Sequence, residues 1–397
     1  MVLSSIQSAS GISRAELSRK LGVSEMAVTR IARELLAAGL IEEAEISDRK
    51  PRNKTVGRPK TGLHIVPTGV YAAGITVSAY HSEVSICDAN GKPVASRRLE
   101  DMPLYDATEA AKFYATALRD LINSAEIDPL RIVGIGVALS ARTDPTTGRI
   151  IKSEYFGWGD DEGQFCREVR KVIDVPVEIE NIANALAIAE MRFGAAQGVS
   201  EFTLVHAATF VGASVVSDSR PVRGVSGVSG LLGHFRSVTR PLTCVCGRHD
   251  CLNLSATGFG LLSQMGRLDH PSFDRSKLSF YAISLLEVLK DSAAKDLIQH
   301  AGFQLAPALD SIRKLLGPER IILTGHLGTN DIYFAATKDA LNQEFDFGDG
   351  SSCTLVKGEI TSVESAALLA LHAFCYSDQL DFDRFPQELQ KQGQAYG

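Results

Sequence analysis

The chain has 397 residues, 45% of them hydrophobic, with 34 Gly, 14 Pro and a formal net charge of −6, a composition that supplies two or three packed domains and excludes a disordered chain. No charged-then-apolar leader follows Met1 and no apolar run approaches the roughly 18 residues of a membrane span, so neither export nor membrane insertion is expected. Seven cysteines, an odd number, fit a reducing cytoplasm with metal-bound or buried thiols better than a disulfide framework.

Charge is distributed unevenly. Residues 1–66 hold 11 Lys+Arg against 7 Asp+Glu, a net of +4, which leaves −10 for the remainder. A basic head on an acidic body is the pattern of a nucleic-acid-binding module joined to a sensing or enzymatic one. A short helix is predicted over residues 2–9, and Ser13 caps a second from Arg14 to Leu21. Gly22-Val23-Ser24 makes a turn, and a third helix runs from Glu25 to about Ala38 with Val28, Ile31, Ala32, Leu35 and Leu36 on one apolar face. Helix, Gly-containing turn, helix is the helix-turn-helix pattern, whose second helix enters the DNA major groove. Ser24, Glu25, Thr29, Arg30 and Arg33 are its candidate base or phosphate contacts.

Strands at Leu40–Glu43 and Leu63–Val66 enclose a basic wing, in which Arg49, Lys50, Arg52, Lys54, Arg58 and Lys60 face only Asp48, enough for several phosphate contacts. Within it Gly57-Arg58-Pro59-Lys60 is extended and offers Arg58 to a narrow minor groove. Double-stranded DNA is the expected partner, read as a pseudo-palindrome by a homodimer or tetramer.

The body alternates strands and helices. A hairpin is predicted from 71–86 and 94–99, a helix over 107–125, strands at 132–139 and 177–180, a helix over 183–193, and a second hairpin from 202 to about 222. One helical stretch over 280–316, a strand at 320–325 and an apolar closing helix over 362–374 follow. The fold class is α/β, and the two strand-hairpin starts near 71 and 202 suggest a duplicated lobe. Between Gly233 and Cys251, three thiols at Cys244, Cys246 and Cys251 converge with an imidazole, from His234 or from His249. Zinc is the natural ion for three soft sulfurs and one nitrogen, and four protein ligands make a structural site.

With the winged head, the Gly-Arg-Pro linker and this loop together, the chain resembles regulators of the ROK family (repressors, open reading frames and sugar kinases) over essentially its full length. The family pattern Gly-His, nine residues, Cys-x-Cys-Gly-x-x-Gly-Cys is met by His234, Cys244, Cys246, Gly247 and Cys251, with Asp250 in place of the last Gly. That spacing favours His234 over His249. The resemblance implies a winged helix-turn-helix over 1–66 and two actin-like (RNase H-like) lobes. The first lobe covers 67–190, completed by the helix about 361–377, and the second covers 191–360.

It also implies where a kinase would keep its chemistry. The phosphate hairpin aligns with Thr76-Val77-Ser78-Ala79-Tyr80, which lacks the family's acidic residue and glycines. The catalytic Asp aligns with Ile182, which cannot accept a proton, and a second phosphate segment aligns with His206–Ser214, where Thr209 and Gly212 survive. Of the family's sugar-binding positions Asn181 and His234 are kept, while carboxylates are replaced by Ile182, Leu231 and Asn253. Asn181, His234, Asn253 and Tyr155 are therefore the expected effector-binding residues, with Tyr155, Phe156 and Trp158 offering either stacking surface or packing between lobes. The expectation is a transcriptional repressor, not an enzyme, with a small-molecule effector that is sugar-derived or less hydroxylated. The alternatives are a divergent sugar kinase and an effector-independent DNA-binding scaffold.

Overall fold

The computed structural model describes residues 1–9, 11–45, 61–78, 82–99, 106–343, 353–377 and 380. The head contains α1 (Val2–Gln7), α2 (Arg14–Leu21), α3 (Glu25–Ala37) and the antiparallel pair β1 (Ile41–Glu45) and β2 (Thr61–Ile65), with Ile41 opposite Ile65. Its boundaries follow from local chemistry. Ser13 Oγ accepts the Glu16 amide while Glu16 returns a carboxylate to the Ser13 amide, a capping box. Gly22 then closes α2 at φ 66°, where a side chain would be strained. Helix α1 ends at Gln7, short of the predicted residue 9.

The body holds two five-stranded sheets. The first is built from β3 (Tyr71–Val77), β4 (Ser82–Asp88), β5 (Pro93–Leu99), β6 (Ile132–Leu139) and, beyond the short hairpin β7 (Arg142–Asp144) and β8 (Arg149–Lys152), β9 (Val177–Asn181). Its order is β5-β4-β3-β6-β9, with α4 (Ala107–Ser124) and α5 (Gln164–Val172) in the crossovers and α6 (Ile182–Phe193) leaving its last strand. The second uses β10 (Phe202–Ala207), β11 (Val211–Ser217), β12 (Arg220–Pro221), and, after α7 (Gly258–Gln264), α8 (Leu278–Val288) and α9 (Lys295–Leu316), strand β13 (Arg320–Thr324). It continues through α10 (Gly325–Gly328), α11 (Asp331–Gln343) and β14 (Thr354–Lys357) before α12 (Ser362–Phe374). Its order, β12-β11-β10-β13-β14, repeats the first: an antiparallel hairpin followed by two parallel strands. The two predicted hairpin starts are the first strands of these equivalent sheets.

The stretch predicted as one helix over 280–316 is two, because Asp291 caps a separate turn through the Ala293 amide before α9 begins. Helix α12 crosses back onto β3 and β6, where glycine decides the approach. A Cβ at Gly136 would lie 1.9 Å from Ala366 O and one at Gly74 2.4 Å from Ala367 N. One buried cluster joins Leu3, Ile6 and Leu17 of the head to Val70, Val133, Leu371 and Phe374 of the body, so the head is seated on the first sheet. Among the described residues no helix is long and apolar enough to cross a membrane.

Candidate functional site

Three sites are separable. The first is the outer face of α3. Ser24, Glu25, Arg30 and Arg33 are exposed, Thr29 is half-buried, and Val28, Ala32 and Leu35 are buried beneath them. Ser24 Oγ accepts the Ala27 amide at 3.2 Å, so its hydroxyl caps the helix and only its remaining lone pair and proton are free for phosphate. Met26, 83% exposed, lies on the same face. The wing residues Arg49, Lys50, Arg52, Lys54, Arg58 and Lys60 lie outside the described residues.

The second site is a thiol and imidazole cluster. His234, Cys244, Cys246 and Cys251 each bring one donor atom within 4.8 Å of the others, a grouping that can hold a metal ion. His234 Nδ1 is 3.7 Å from Cys244 Sγ, and Cys246 Sγ is 3.4 Å from Cys251 Sγ. Arg248 supports it by donating to His234 O and, at 3.3 Å, to Cys251 Sγ, which places a cation against the sulfurs. His249 is turned away and donates Nδ1–H to Leu242 O at 2.7 Å.

The third is a cavity of about 300 Å³ between the two sheets, where the carboxyl ends of β6, β9, β10 and β13 meet. Open α/β sheets bind ligands at such strand ends. Asn181, Ile182, Tyr155, Leu231 and His234 all line it. Asn181 is the N-cap of α6, with Oδ1 accepting the Asn184 amide at 2.9 Å, so what it offers a ligand is its NH₂ donors. Tyr155 packs its ring 4.9 Å from Phe210, and burial raises its phenol well above the usual range. Phe156 and Trp158 are buried, with their rings tilted at 43° to each other, and do not line the cavity; their ring contacts lie within the first lobe. Asn253 is not a lining residue either. Its Oδ1 is spent on the Val211 amide at 3.0 Å beneath Gly233, and it is 1% exposed.

The residues that the family resemblance sets against a kinase's phosphate and catalytic positions make contacts of their own. Thr76 is buried and donates Oγ1–H to Ser362 O at 3.2 Å, fastening α12 to β3. Ser78 lines the cavity, while Ala79 and Tyr80 lie outside the described residues. Glu180, next to Asn181, is fully buried; it pairs with Arg223 and accepts from Asn184 Nδ2. Arg142, the sole Lys or Arg among the described lining residues, lies 3.6 Å from Glu154, so no unpaired cation faces the cavity. His206, overlooked as a site residue, also lines it. Burial, then neighbouring His326, pushes its imidazole down to about 4, and its Nδ1 is 3.2 Å from Thr324 Oγ1. Nothing local in the sequence marks that pairing, because residues 206 and 326 meet only through the parallel register of β10 and β13.

The sequence profile of the ROK family matches residues 72–370, and that of a winged helix-turn-helix DNA-binding domain matches residues 1–42. The chain is 27% identical over 326 residues to the xylose repressor of Bacillus subtilis, covering 81% of this chain and 80% of that protein. It is 23% identical over 371 residues to the DNA-binding transcriptional dual regulator NagC of Escherichia coli K12, covering 91% and 88%. A solved ROK family transcriptional regulator, a homologue of the E. coli Mlc protein, superposes with a TM-score of 0.74 at 22% identity over 100% of this chain and 98% of that one. A ROK family glucokinase from Streptomyces griseus, solved with glucose and AMPPNP, gives 0.60 at 19% identity over 76% and 98%, a likeness of fold.

Proposed function

This chain belongs to the ROK family and carries a winged helix-turn-helix head, and from that premise we propose that it is a transcriptional repressor whose two-sheet body senses a small molecule without phosphorylating it. The observation that carries the second half is Ile182. It opens α6 and lines the cavity at the position that the family resemblance assigns to the catalytic carboxylate, and an isoleucine neither takes a hydroxyl proton nor pairs with vicinal hydroxyls. A neutral His206 adds no anchor for a triphosphate, and Arg142 lies beside Glu154. A relative named for xylose points to a sugar-related effector. Ile182, Leu231 and Tyr155 favour one with fewer hydroxyls and an apolar face, held by the donors of Asn181 and by His234.

Zinc belongs to the same proposal. Three soft thiolates and one imidazole suit that ion, four protein ligands leave no open position, and the site is structural. With His234 Nδ1 turned to the cluster, its other ring nitrogen is left for the cavity. The domain boundary at 66, assembly as a homodimer or tetramer, and a cytoplasmic location complete the reading; the boundary expected at 190 falls inside α6 and moves to its end at Phe193.

The test is a thermal-shift screen of sugars, amino sugars and deoxy derivatives run beside an ATP-consumption assay. A specific ligand stabilises the fold by mass action. Stabilisation without turnover is expected, and ATP turnover that disappears in Asn181→Ala contradicts the sensing role.

A further inference from the structure

Helix α6 has one end in the cavity and the other on the DNA-binding head. Its N-cap, Asn181, and its first residue, Ile182, line the cavity, and every residue from Ile182 to Glu190 is buried. Neither Gly nor Pro interrupts it, so its 12 residues form a stiff rod of roughly 18 Å. Its last turn carries two opposed connections. The Glu190 carboxylate accepts the amides of Glu359 and Ile360 at 2.7 and 2.8 Å, fixing α6 to a segment that itself lines the cavity. Two residues on, Arg192 Nη1 donates to Ser4 Oγ of α1 at 2.8 Å and Nε donates to His372 Nδ1 of α12 at 3.2 Å, with the guanidinium 5.1 Å from the Tyr376 ring centre.

These partners share one property: all are neutral. Among the described residues no carboxylate is one of the groups acting on Arg192, and burial lowers its pKa. A half-buried cation whose partners among the described residues are a hydroxyl, an imidazole and a ring face is poorly compensated. A contact of that kind has a small margin and is separated by a small displacement of either side. Tyr376 is itself pinned, donating to Ala89 O, and the Ala89 amide donates to Pro67 O of the linker at 2.9 Å, so the seat includes the chain that joins head to body.

We propose that α6 transmits the state of the cavity to the head, with Arg192 as the latch that holds α1 on the body and is released when an occupant displaces the helix at Ile182. The sensing role of the cavity is taken from the preceding section. The mechanical connection stands or falls separately from it.

The experiment is amide hydrogen exchange on the full-length, zinc-loaded protein, followed in peptides covering α1, α3 and α12. Arg192→Gln is expected to speed exchange in α1 by about tenfold or more, the loss of one charge-assisted hydrogen bond, with α3 unchanged and Arg192→Lys between the two. Ile182→Ala, at the other end of the rod, is expected to speed exchange in α1 as well. The double variant should show less than the product of the two effects, because both act through one contact. Ile182→Val serves if Ile182→Ala does not fold. Wild-type exchange in α1 of Arg192→Gln refutes the latch, and wild-type exchange in α1 of both Ile182 variants, or multiplicative effects, refutes the rod. If these results come out as expected and no molecule in the screen shifts stability, the sensing role fails and the connection remains.

Discussion

Two histidines set a dependence of stability on pH that can be measured one residue at a time. Burial, followed by Arg192, holds His372 at about 4, against the ordinary imidazole value of 6.5, and His206 is held at about 4 by burial and His326. A base whose pKa is depressed by folding is protonated more readily in the unfolded chain. Its contribution is therefore fully present above pH 6.5 and is lost as pH falls toward 4. At about 1.36 kcal/mol per pKa unit, each histidine accounts for about 3 kcal/mol across that window. The whole-protein curve does not isolate this, because Glu178 is pushed up to about 7 by burial and by Glu180 and titrates in the opposite sense between 4.5 and 7. The difference between wild type and His372→Gln does isolate it, since Gln keeps an acceptor for the Arg192 Nε–H. Urea denaturation at pH 7.5, 6 and 4.5 should show the gap moving toward the variant by roughly 2–3 kcal/mol as pH falls. His206→Gln should behave alike. Parallel curves for variant and wild type would falsify the assignment of either histidine as buried and neutral.

Metal analysis of purified protein should return one zinc per chain, and Cys251→Ser should lose it together with exchange protection over 234–251. Structural zinc contributes on the order of 10 kcal/mol, comparable with the whole stability of a domain, so a metal-free protein with a protected loop would contradict the site. Gly136→Ala places a methyl 1.9 Å from Ala366 O, backbone against backbone, and should cost about 3 kcal/mol or prevent folding; a melting temperature within a degree or two of wild type would mean that α12 does not pack as described. Replacing Asn253 by Ala should lower stability by leaving the buried Val211 amide without its acceptor, about 1–3 kcal/mol, while affinity for any cavity ligand stays within a few-fold. A large loss of affinity at unchanged stability would return Asn253 to the binding set.

What was legible in the sequence is what local chemistry encodes. The cap at Ser13, the turn at Gly22 and the apolar face of α3 marked the head helices, and apolar, β-rich runs with turn residues marked the first strands of both sheets. Short elements escaped, among them the three- and four-residue strands β7 and β8, too brief to show a period. The break in the 280–316 helix was encoded by Asp291 and a following Ser, a turn signal outweighed by the apolar pattern on either side. Asn253 does not line the cavity, because position in a motif does not say which way a side chain turns, and here a backbone amide claims its oxygen. The seat of the head was not legible at all: Ser4 and Arg192 are 188 positions apart, and Arg192 and His372 a further 180.

The central claim, a head that reads DNA through α3, is tested most directly by selecting binders from a random duplex pool with the full-length protein and then measuring affinity for the selected sequence against salt. A pseudo-palindromic site is expected. Arg30→Ala should weaken binding by about 1–3 kcal/mol if it reaches a base edge, and Arg33→Ala should reduce the salt slope by about 1 if it neutralises a phosphate. Failure to enrich any sequence, or undiminished affinity and salt dependence in the Arg30→Ala, Arg33→Ala double variant, would contradict the account.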